Sequence, residues 1–206
     1  MKKVLVTGAT GFLGKYITEQ LIEDGYQVLA LGRKEEAGRV LEELGAVFCK
    51  ADFTHKEECR PFFKDVDYVI HAAAMKQVPA CEYNPSEAIK TNINGAQNII
   101  DAALDMGVKK VVALSTDKAV NPVNLYGGTK LVSDKLFIAA NAYAGSKDIS
   151  FSVVRYGNVA GSRGSVIPFF ANIMQNGGTE LPITDYRMTR FWISLDEGVQ
   201  LVLKAL

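Results

Sequence analysis

Two pairs of side chains that can exchange protons lie close together in the segment STDKAVNPVNLYGGTK, residues 115–130. Tyr126 and Lys130 are four residues apart, so a helix would place both on one face. A free tyrosine has a pKa of about 10 and is a poor base at neutral pH, but a nearby ammonium group and a positive nicotinamide ring would favour the phenolate. The pair could then take a proton from a substrate hydroxyl while the carbon below gives hydride to a cofactor.

Asp117 and Lys118 form the second pair, directly after a predicted strand, where open parallel sheets bind their ligands. Alcohol oxidation needs only one base, so a second acid–base pair suggests another proton transfer on the oxidised intermediate. A ketone acidifies the hydrogen on its neighbouring carbon. One group could remove that hydrogen while the other protonates a hydroxyl one carbon further on, which leaves as water. The alternative is a surface turn, because TDKAVNP is rich in turn-forming residues.

A glycine-rich segment, TGATGFLG, lies between the first predicted strand and the first predicted helix. Glycines let the backbone turn sharply and approach a pyrophosphate, and the helix N-terminus supplies free N–H groups and positive potential. The alternative is a glycine-rich turn that binds nothing. In the first interpretation, the cofactor-binding residues of this loop are Gly8, Thr10, Gly11, Phe12, Leu13 and Gly14.

The end of the second predicted strand indicates which dinucleotide binds. Folds that prefer NAD often have an acid about 20 residues beyond the glycines, whereas this chain has Arg33 and Lys34. Two cations suit a 2′-phosphate and favour NADP, unless both are solvated surface charges. Asp52 either accepts a hydrogen bond from the adenine amino group or caps the following turn. The other residues assigned to the cofactor site are Phe53, Ala72, Ala73 and Ala74.

Alternating strands and helices must position these residues. The apolar segments KKVLVTG, YQVLALG, AVFCKAD, DYVIHAAA, KKVVALS and ISFSVVRYG are typical of buried strands, and helix-like segments separate most of them. Continuous apolar strands joined by helices predict a parallel sheet covered on both faces, and right-handed crossovers give an α/β, Rossmann-type doubly wound fold. We therefore expect a single NADP-binding domain over residues 1–206.

The pattern becomes irregular from residue 157, and we expect residues 157–206 to carry part of a substrate-binding region. GNVAGSRGS and QNGGTELPITD are predicted loops. The long helix after Pro85 is expected to end at Gly107. The last helix is expected to begin at Ser194, with Glu197 completing a capping box.

Composition indicates an ordinary globular protein: 48% of the 206 residues are hydrophobic and 22% are charged. Because 23 basic residues balance 23 acidic ones, the charge gives no reason to expect nucleic acid. No apolar run approaches the roughly 18 residues needed to cross a bilayer. The three cysteines lack metal-ligand spacing and are expected to be free thiols in a reducing cytoplasm, so we assign no metal site.

Several long segments resemble those of one known family. They are TGATGFLG, HAAAMKQVPACEYNPSEAIKTNINGAQN, STDKAVNPVNLYGGTKLVSDKLF, VVRYGNVAGSRGSVIPFF and LPITDYRMTRFWISLDEGV. The chain resembles the extended short-chain dehydrogenase/reductases, and within them the inverting UDP-N-acetylglucosamine 4,6-dehydratases of bacterial pseudaminic acid biosynthesis. Related membrane-bound dehydratases have a sequence similar to MGATK where this chain has YGGTK, which favours the soluble inverting group.

The resemblance implies a catalytic role for five residues. Tyr126 would act as base at the sugar C4 hydroxyl, and Lys130 would hold the nicotinamide ribose and lower the tyrosine pKa. Thr116 would hydrogen-bond the C4 hydroxyl. Lys118 would remove the C5 proton and later return one to the opposite face, while Asp117 would help to protonate the departing C6 hydroxyl; the division of work between these two stays open.

The resemblance also implies the reaction and its partners. Hydride would leave C4 for NADP, water would be lost across C5 and C6, and hydride would return to C6, giving a 4-keto-6-deoxy L-sugar. Lys76, Asn158 and Arg190 would line the nucleotide-sugar site, where an arginine suits a diphosphate. Members of the family are longer than this chain, so we expect an incomplete substrate-binding part, and we expect a homo-oligomer.

Two rival functions remain open. An epimerase of the same superfamily would use the same Tyr–Lys pair, but it would not need the Asp–Lys pair. An NADP-binding sensor without catalysis would need neither pair.

Four further residues have structural interpretations. His71 is expected in the core or a loop, Phe191 and Trp192 in the core, and Asn92 is expected to hold a buried water or a backbone carbonyl near the site.

Overall fold

A six-stranded parallel sheet forms the centre of the computed structural model, which describes residues 1–162 and 164–206. The strand order is β3-β2-β1-β4-β5-β6, so the chain reverses its direction of winding between β1 and β4. This order is that of a doubly wound Rossmann-type sheet and confirms the predicted fold class. The strands are β1 (Lys3–Thr7), β2 (Gln27–Gly32), β3 (Val47–Lys50), β4 (Tyr68–His71), β5 (Lys110–Leu114) and β6 (Ser150–Val154).

Helices connect the strands and cover both faces of the sheet. Two short 3-10 turns, Arg60–Phe63 and Asp117–Ala119, and one π turn, Lys90–Asn94, lie between the α-helices. The α-helices are α1 (Phe12–Glu23), α2 (Glu35–Glu43), α3 (Lys56–Cys59), α4 (Val78–Tyr83), α5 (Pro85–Ile89), α6 (Gly95–Met106), α7 (Leu125–Tyr143), α8 (Val166–Gln175) and α9 (Leu195–Lys204).

The core lies in two layers, one on each face of the sheet. Successive residues of β1 alternate between them: Leu5 packs in the layer beneath α6 and α7, while Val4 and Val6 pack in the layer beneath α1, α2 and α9. Because both faces of each strand are buried, the strands are apolar throughout rather than alternating with polar residues. This double burial explains why the sequence predicted the strands so clearly.

Helix ends follow the predicted signals. Gly107 ends α6 in the left-handed conformation, with φ of 73°. Ser194 and Glu197 form the predicted capping box at the start of α9. The long helix after Pro85 contains one feature that was not predicted, the π turn at Lys90–Asn94.

Residues after β6 contain more regular structure than the sequence indicated. Two short strands, β7 (Asn158–Val159) and β8 (Trp192–Ile193), pair in parallel, so GNVAGSRGS is not entirely a loop; its Arg163 lies outside the described residues. Helix α8 follows, and none of its residues is buried.

The prediction that Phe191 and Trp192 lie in the core is wrong for the described part of the chain. Phe191 is 80% exposed and Trp192 is 47% exposed. Their aromatic character favours burial, but Phe191 directly precedes β8 and Trp192 begins it, and neither belongs to the two core layers. Among the described helices, none has the length and apolar character needed to cross a membrane.

Candidate active site

A cavity of about 810 Å³ opens at the carboxyl ends of the parallel strands. Its walls come from the loops after β1, β4, β5 and β6 and from the first turns of α1 and α7. The position, beside the reversal between β1 and β4, is where doubly wound sheets bind ligands. The cavity contains many of the residues that the sequence singled out: Gly8, Gly11, Phe12, Leu13, Gly14, Ala72, Ala74, Lys76, Thr116, Lys118, Tyr126, Lys130 and Asn158.

At two positions of the glycine loop, only glycine fits the backbone geometry. Gly8 has φ of 68°, and a Cβ atom there would lie 2.6 Å from the backbone nitrogen of Ala73. A Cβ on Gly14 would lie 2.2 Å from the carbonyl oxygen of Gly8. Gly11 is the N-cap residue of α1 and forms no side-chain cap, so it leaves the N–H groups of the first turn available. The loop therefore fits the pyrophosphate of a dinucleotide.

The predicted 2′-phosphate residues lie outside the lining of the cavity. Arg33 is exposed and forms an ion pair with Asp52, with 3.5 Å between nitrogen and oxygen. Lys34 is exposed at the start of α2, and Thr10 packs against Gly32.

The structure shows the turn-capping alternative for Asp52. Its Oδ1 accepts hydrogen bonds from the backbone nitrogen of Thr54 at 2.9 Å and from its hydroxyl at 2.8 Å. Burial acts to raise the pKa of Asp52, but these bonds and Arg33 outweigh it and lower the pKa. A contact with adenine stays a prediction.

Phe53 does not line the cavity but packs against neighbouring core residues. Its ring packs against His71 with 5.5 Å between ring centroids, and against Gly95, where a Cβ atom would lie 2.4 Å from the ring. Ala73 contributes its backbone, which lies against Gly8.

Helix α7 places Tyr126 and Lys130 on the cavity wall. Asn124 caps the helix, since its side-chain oxygen accepts a hydrogen bond from the backbone nitrogen of Gly127 at 2.9 Å. Tyr126 is 9% exposed and Lys130 is 2% exposed. The Lys130 ammonium donates to the carbonyl oxygen of Leu114 at 2.8 Å, which fixes it beside the end of β5.

Burial dominates the electrostatics of this pair. It raises the pKa of Tyr126 to about 12, and the neighbouring Thr116 hydroxyl partly opposes the change. Burial lowers the pKa of Lys130 to about 8, and Asp134 partly opposes that change. The sequence predicted a lowered tyrosine pKa; in the protein alone the direction is the opposite, because desolvation of the phenolate outweighs any effect of the ammonium.

The Asp117–Lys118 pair forms a hydrogen-bonded network rather than a free surface turn. The Lys118 ammonium donates to Asp117 Oδ1 at 3.1 Å and to Asn158 Oδ1 at 2.9 Å. The Thr116 hydroxyl donates to the same oxygen of Asp117 at 3.0 Å. Thr116, Lys118 and Asn158 line the cavity, and Asp117 reaches it through them.

Gly127 brings the two pairs together. A Cβ atom on Gly127 would lie 2.3 Å from the carbonyl oxygen of Lys118 and 2.9 Å from Cβ of Pro122. The first turn of α7 therefore packs directly against the backbone of the 117–119 turn. This close contact places Tyr126 and Lys118 on the same cavity.

Two of the three predicted substrate-binding residues line the cavity, and the third does not. Lys76 and Asn158 line the cavity. Arg190 is exposed, donates to the carbonyl oxygen of Thr189 at 2.7 Å, and is not among the lining residues. Its contact with a nucleotide sugar stays a prediction.

Sequence reasoning missed several residues at this site. Tyr156 lines the cavity, its carbonyl oxygen accepts from the Asp117 backbone nitrogen at 3.0 Å, and burial raises its pKa. Ser115 lines the cavity beside the buried Asp134. The positions of Ser115 and Tyr156, at or just after the ends of β5 and β6, were the available signal.

Two structural predictions are confirmed. Asn92 is buried in the π turn, where its side chain accepts from the Met75 backbone nitrogen at 2.8 Å and donates to the Met75 carbonyl oxygen at 2.9 Å. It also donates to the Thr129 hydroxyl at 3.0 Å, which ties the loop after β4 to α7. His71 is a core residue, bonded to the Thr7 hydroxyl at 2.7 Å.

No group of three or more potential metal ligands occurs among residues 1–162 and 164–206. All three cysteines are free and buried, namely Cys49, Cys59 and Cys81.

The chain matches one family model and is similar in sequence to several named proteins. A family model described as polysaccharide biosynthesis protein matches residues 4–206. The inverting UDP-N-acetylglucosamine 4,6-dehydratase of Campylobacter jejuni strain 81-176 is 56% identical over 208 residues, covering 98% of this chain and 62% of the relative. UDP-glucose 4-epimerases also match, including that of Rickettsia canadensis at 43% identity, with 99% of this chain and 62% of the relative covered. The chain thus spans 62% of the length of these relatives.

Solved structures match over almost the whole chain. The structure of Pen from Bacillus thuringiensis has a TM-score of 0.94 and 39% identity, covering 99% of this chain and 66% of that one. DesIV, a dTDP-glucose 4,6-dehydratase from Streptomyces venezuelae with NAD and TYD bound, has a TM-score of 0.85 and 25% identity, covering 96% and 70%.

Proposed function

This chain belongs to the polysaccharide biosynthesis protein family, and we propose that it carries the catalytic core of a nucleotide-sugar 4,6-dehydratase. The substrate would be UDP-N-acetylglucosamine, the cofactor NADP, and the product a UDP-4-keto-6-deoxy L-sugar inverted at C5. The 56% identical relative, named as an inverting dehydratase for this substrate, supports the proposal.

One structural observation carries the proposal. The Lys118 ammonium, held by Asp117 and Asn158, lies on the wall of the same cavity as Tyr126 and Lys130. An oxidation at C4 needs one base, whereas an elimination across C5 and C6 needs a second proton acceptor and a proton donor. The site supplies both sets of groups.

Each residue then has a defined task. When bound, the nicotinamide would supply a hydride acceptor at C4 and a hydride donor at C6, and its positive ring would favour the Tyr126 phenolate. Tyr126 takes the proton of the C4 hydroxyl, which Thr116 orients. Proton transfer from the Lys118 ammonium to the Asp117 carboxylate, along their 3.1 Å hydrogen bond, would first give a neutral amine and a protonated carboxyl group. The Lys118 amine then removes the C5 proton and later returns one to the opposite face, and Asp117 protonates the C6 hydroxyl as it leaves as water. The hydride taken from C4 would be returned at C6, so the overall reaction is redox-neutral.

Three further parts of the proposal rest on the family resemblance. We expect the protein in the cytoplasm, where its free cysteines stay reduced. We expect it to act as a homo-oligomer, and its product to enter pseudaminic acid biosynthesis.

The decisive experiment incubates the full-length protein with UDP-N-acetylglucosamine and NADP and follows products by mass spectrometry and NMR. The wild type should form a sugar that has lost one water. Lys118→Ala should reduce water loss by at least about 100-fold and leave NADPH binding unchanged, since Lys118 acts on the sugar. Lys135→Ala, which removes an exposed lysine from α7, is the matched control and should keep full activity.

The outcomes separate the rival functions. A C4 epimer formed without loss of water would identify an epimerase, as the Rickettsia relatives are named. Dinucleotide binding without turnover would indicate a sensor. Normal dehydration by Lys118→Ala would remove Lys118 from the mechanism.

A further inference from the structure

Asp134 is a buried carboxylate that the proposed chemistry does not use. It lies on α7 four residues after Lys130 and is 4% exposed. Aspartates are almost never fully buried unless they are paired. Its Oδ2 accepts hydrogen bonds from the Ser115 hydroxyl at 2.9 Å and from Nε of Arg155 at 2.8 Å. Its Oδ1 is also buried and has no hydrogen-bond partner among the described residues.

Lys130, on the same helix, is a buried cation that a nearby carboxylate would stabilise. Its ammonium is buried and bonds the carbonyl oxygen of Leu114, the residue before Ser115. Adjacent residues at the end of β5 therefore bind the two groups: the Leu114 carbonyl oxygen binds Lys130, and the Ser115 hydroxyl binds Asp134. A buried ammonium without a compensating negative charge loses its proton or destabilises the fold.

The other groups around Lys130 do not supply that charge. His71 of β4 is an imidazole whose pKa is lowered by burial and, to a smaller extent, by the positive charge of Lys130, so it is neutral. Tyr126 is protonated at neutral pH, because burial raises its pKa to about 12. Tyr156 is also kept neutral by burial.

The other charged groups to consider are the Asp117–Lys118 ion pair and the Arg155 guanidinium. Asp117 is paired with Lys118 in the turn after β5. Arg155, after β6, is a cation that pairs with Asp134; its side chain is 41% exposed, whereas the Asp134 side chain is 5% exposed, so solvent weakens the effect of Arg155. Burial lowers the pKa of Lys130, and the negative charge of Asp134, one turn further along α7, acts in the opposite direction.

We infer that Asp134 is a positioning residue that keeps the buried ammonium of Lys130 charged at the cavity wall, and that Ser115 and Arg155 hold the carboxylate in place for this task. The consequence for catalysis rests on the proposed function, because a charged Lys130 matters there for binding the nicotinamide ribose and for the state of Tyr126. The effect on the charge of Lys130 itself does not depend on it.

The test measures the titration of Lys130 in the full-length protein. Protein labelled with ¹³C-lysine is titrated from pH 6 to pH 11 by NMR, and the Lys130 signal is assigned by its loss in Lys130→Met. Asp134→Asn should lower the pKa of Lys130 by about one unit or more, because it removes a nearby buried negative charge without changing the shape of the side chain. The alkaline limit of NADPH binding should move to lower pH by the same amount.

Three variants complete the test. Asp134→Glu restores the charge and should return the titration toward that of the wild type. Ser115→Ala keeps the charge but removes one hydrogen bond, so it should cause a smaller shift in the same direction. Asp101→Asn removes a partly exposed carboxylate on α6 that pairs with Lys56, and it should leave Lys130 unchanged.

An unchanged Lys130 titration in folded Asp134→Asn, or the same shift in Asp101→Asn, would overturn the inference. If Asp134→Asn does not fold, an unshifted Ser115→Ala would overturn it. A wild type that makes no dehydrated product, with the Lys130 shift still present in Asp134→Asn, would overturn the proposed function and leave this inference standing.

Discussion

Arg33 is the side chain on which the proposed preference for NADP depends, although it does not line the cavity. It is exposed and paired with Asp52 at the ends of β2 and β3. An exposed ion pair of this kind contributes only about 0–1 kcal/mol, so it can open to receive a phosphate. In the proposed function, the preference for NADP would rest on a contact between Arg33 and the 2′-phosphate that forms when the dinucleotide binds.

We predict that Arg33→Ala weakens NADPH binding by about 10-fold or more and leaves NADH binding nearly unchanged, because a charge-assisted bond to the 2′-phosphate contributes about 1.5–3 kcal/mol. Isothermal titration with both dinucleotides measures the difference. Arg39→Ala removes an exposed arginine of α2 and serves as control. Equal losses for the two dinucleotides would contradict the role of Arg33 in selecting NADP.

The segment from the end of β6 to the first residue of β7 links both acid–base pairs. Arg155 bonds Asp134 on α7, the Tyr156 carbonyl accepts from the backbone of Asp117, and Asn158 accepts from Lys118. Helix α7 approaches from the other side. The relative position of these elements therefore sets the geometry of the site.

Adjacent glycines in α7 provide a matched pair for testing that geometry. A Cβ on Gly127 would lie 2.3 Å from the Lys118 carbonyl oxygen, whereas a Cβ on Gly128 meets nothing within 4 Å. Gly127→Ala should push α7 away from the turn, lower the free energy of unfolding by about 1–3 kcal/mol and reduce dehydration by about 100-fold. Gly128→Ala should keep activity and raise stability by up to about 1 kcal/mol.

Chemical unfolding and product assays on both variants measure these effects. Equal behaviour of Gly127→Ala and Gly128→Ala would show that close packing of α7 on the turn is not needed.

The whole molecule contains a buried histidine that affects its acid stability. His71 lies in the core between Phe53 and Phe137, and burial, with a smaller contribution from Lys130, lowers its pKa to about 3. In the unfolded chain this histidine binds a proton with the ordinary pKa of 6.5. Between these pKa values the unfolded state holds more protons, so stability falls as the pH falls from 6.5 toward 3.

We predict that His71→Gln removes up to about 1.4 kcal/mol per pH unit from this pH dependence, although it lowers stability at pH 7 through lost packing. Urea unfolding at several pH values between 7 and 4 measures the slope. His55→Gln replaces a histidine whose side chain is 53% exposed and should keep the slope of the wild type. A wild-type slope in His71→Gln would show that other groups cause the acid sensitivity.

The fold was largely predictable from the sequence. Each strand is buried on both faces, so its apolar run was unambiguous, and glycine and serine signals marked helix ends such as Gly107 and Ser194. Helix α8 was missed because none of its residues is buried, and strands β7 and β8 were missed because two residues are too few to show a periodic pattern.

The sequence by itself determined the chemistry that is available: a glycine loop for a pyrophosphate, a Tyr–Lys pair on one helix and an Asp–Lys pair at a strand end. These follow from spacing along one element, which is a local property. Only the tertiary structure decided that Asn158 holds Lys118 and that Asp134, Ser115 and Arg155 form one buried group. It also decided the direction in which the Tyr126 pKa moves, because burial and contacts between distant segments arise only when the chain is packed.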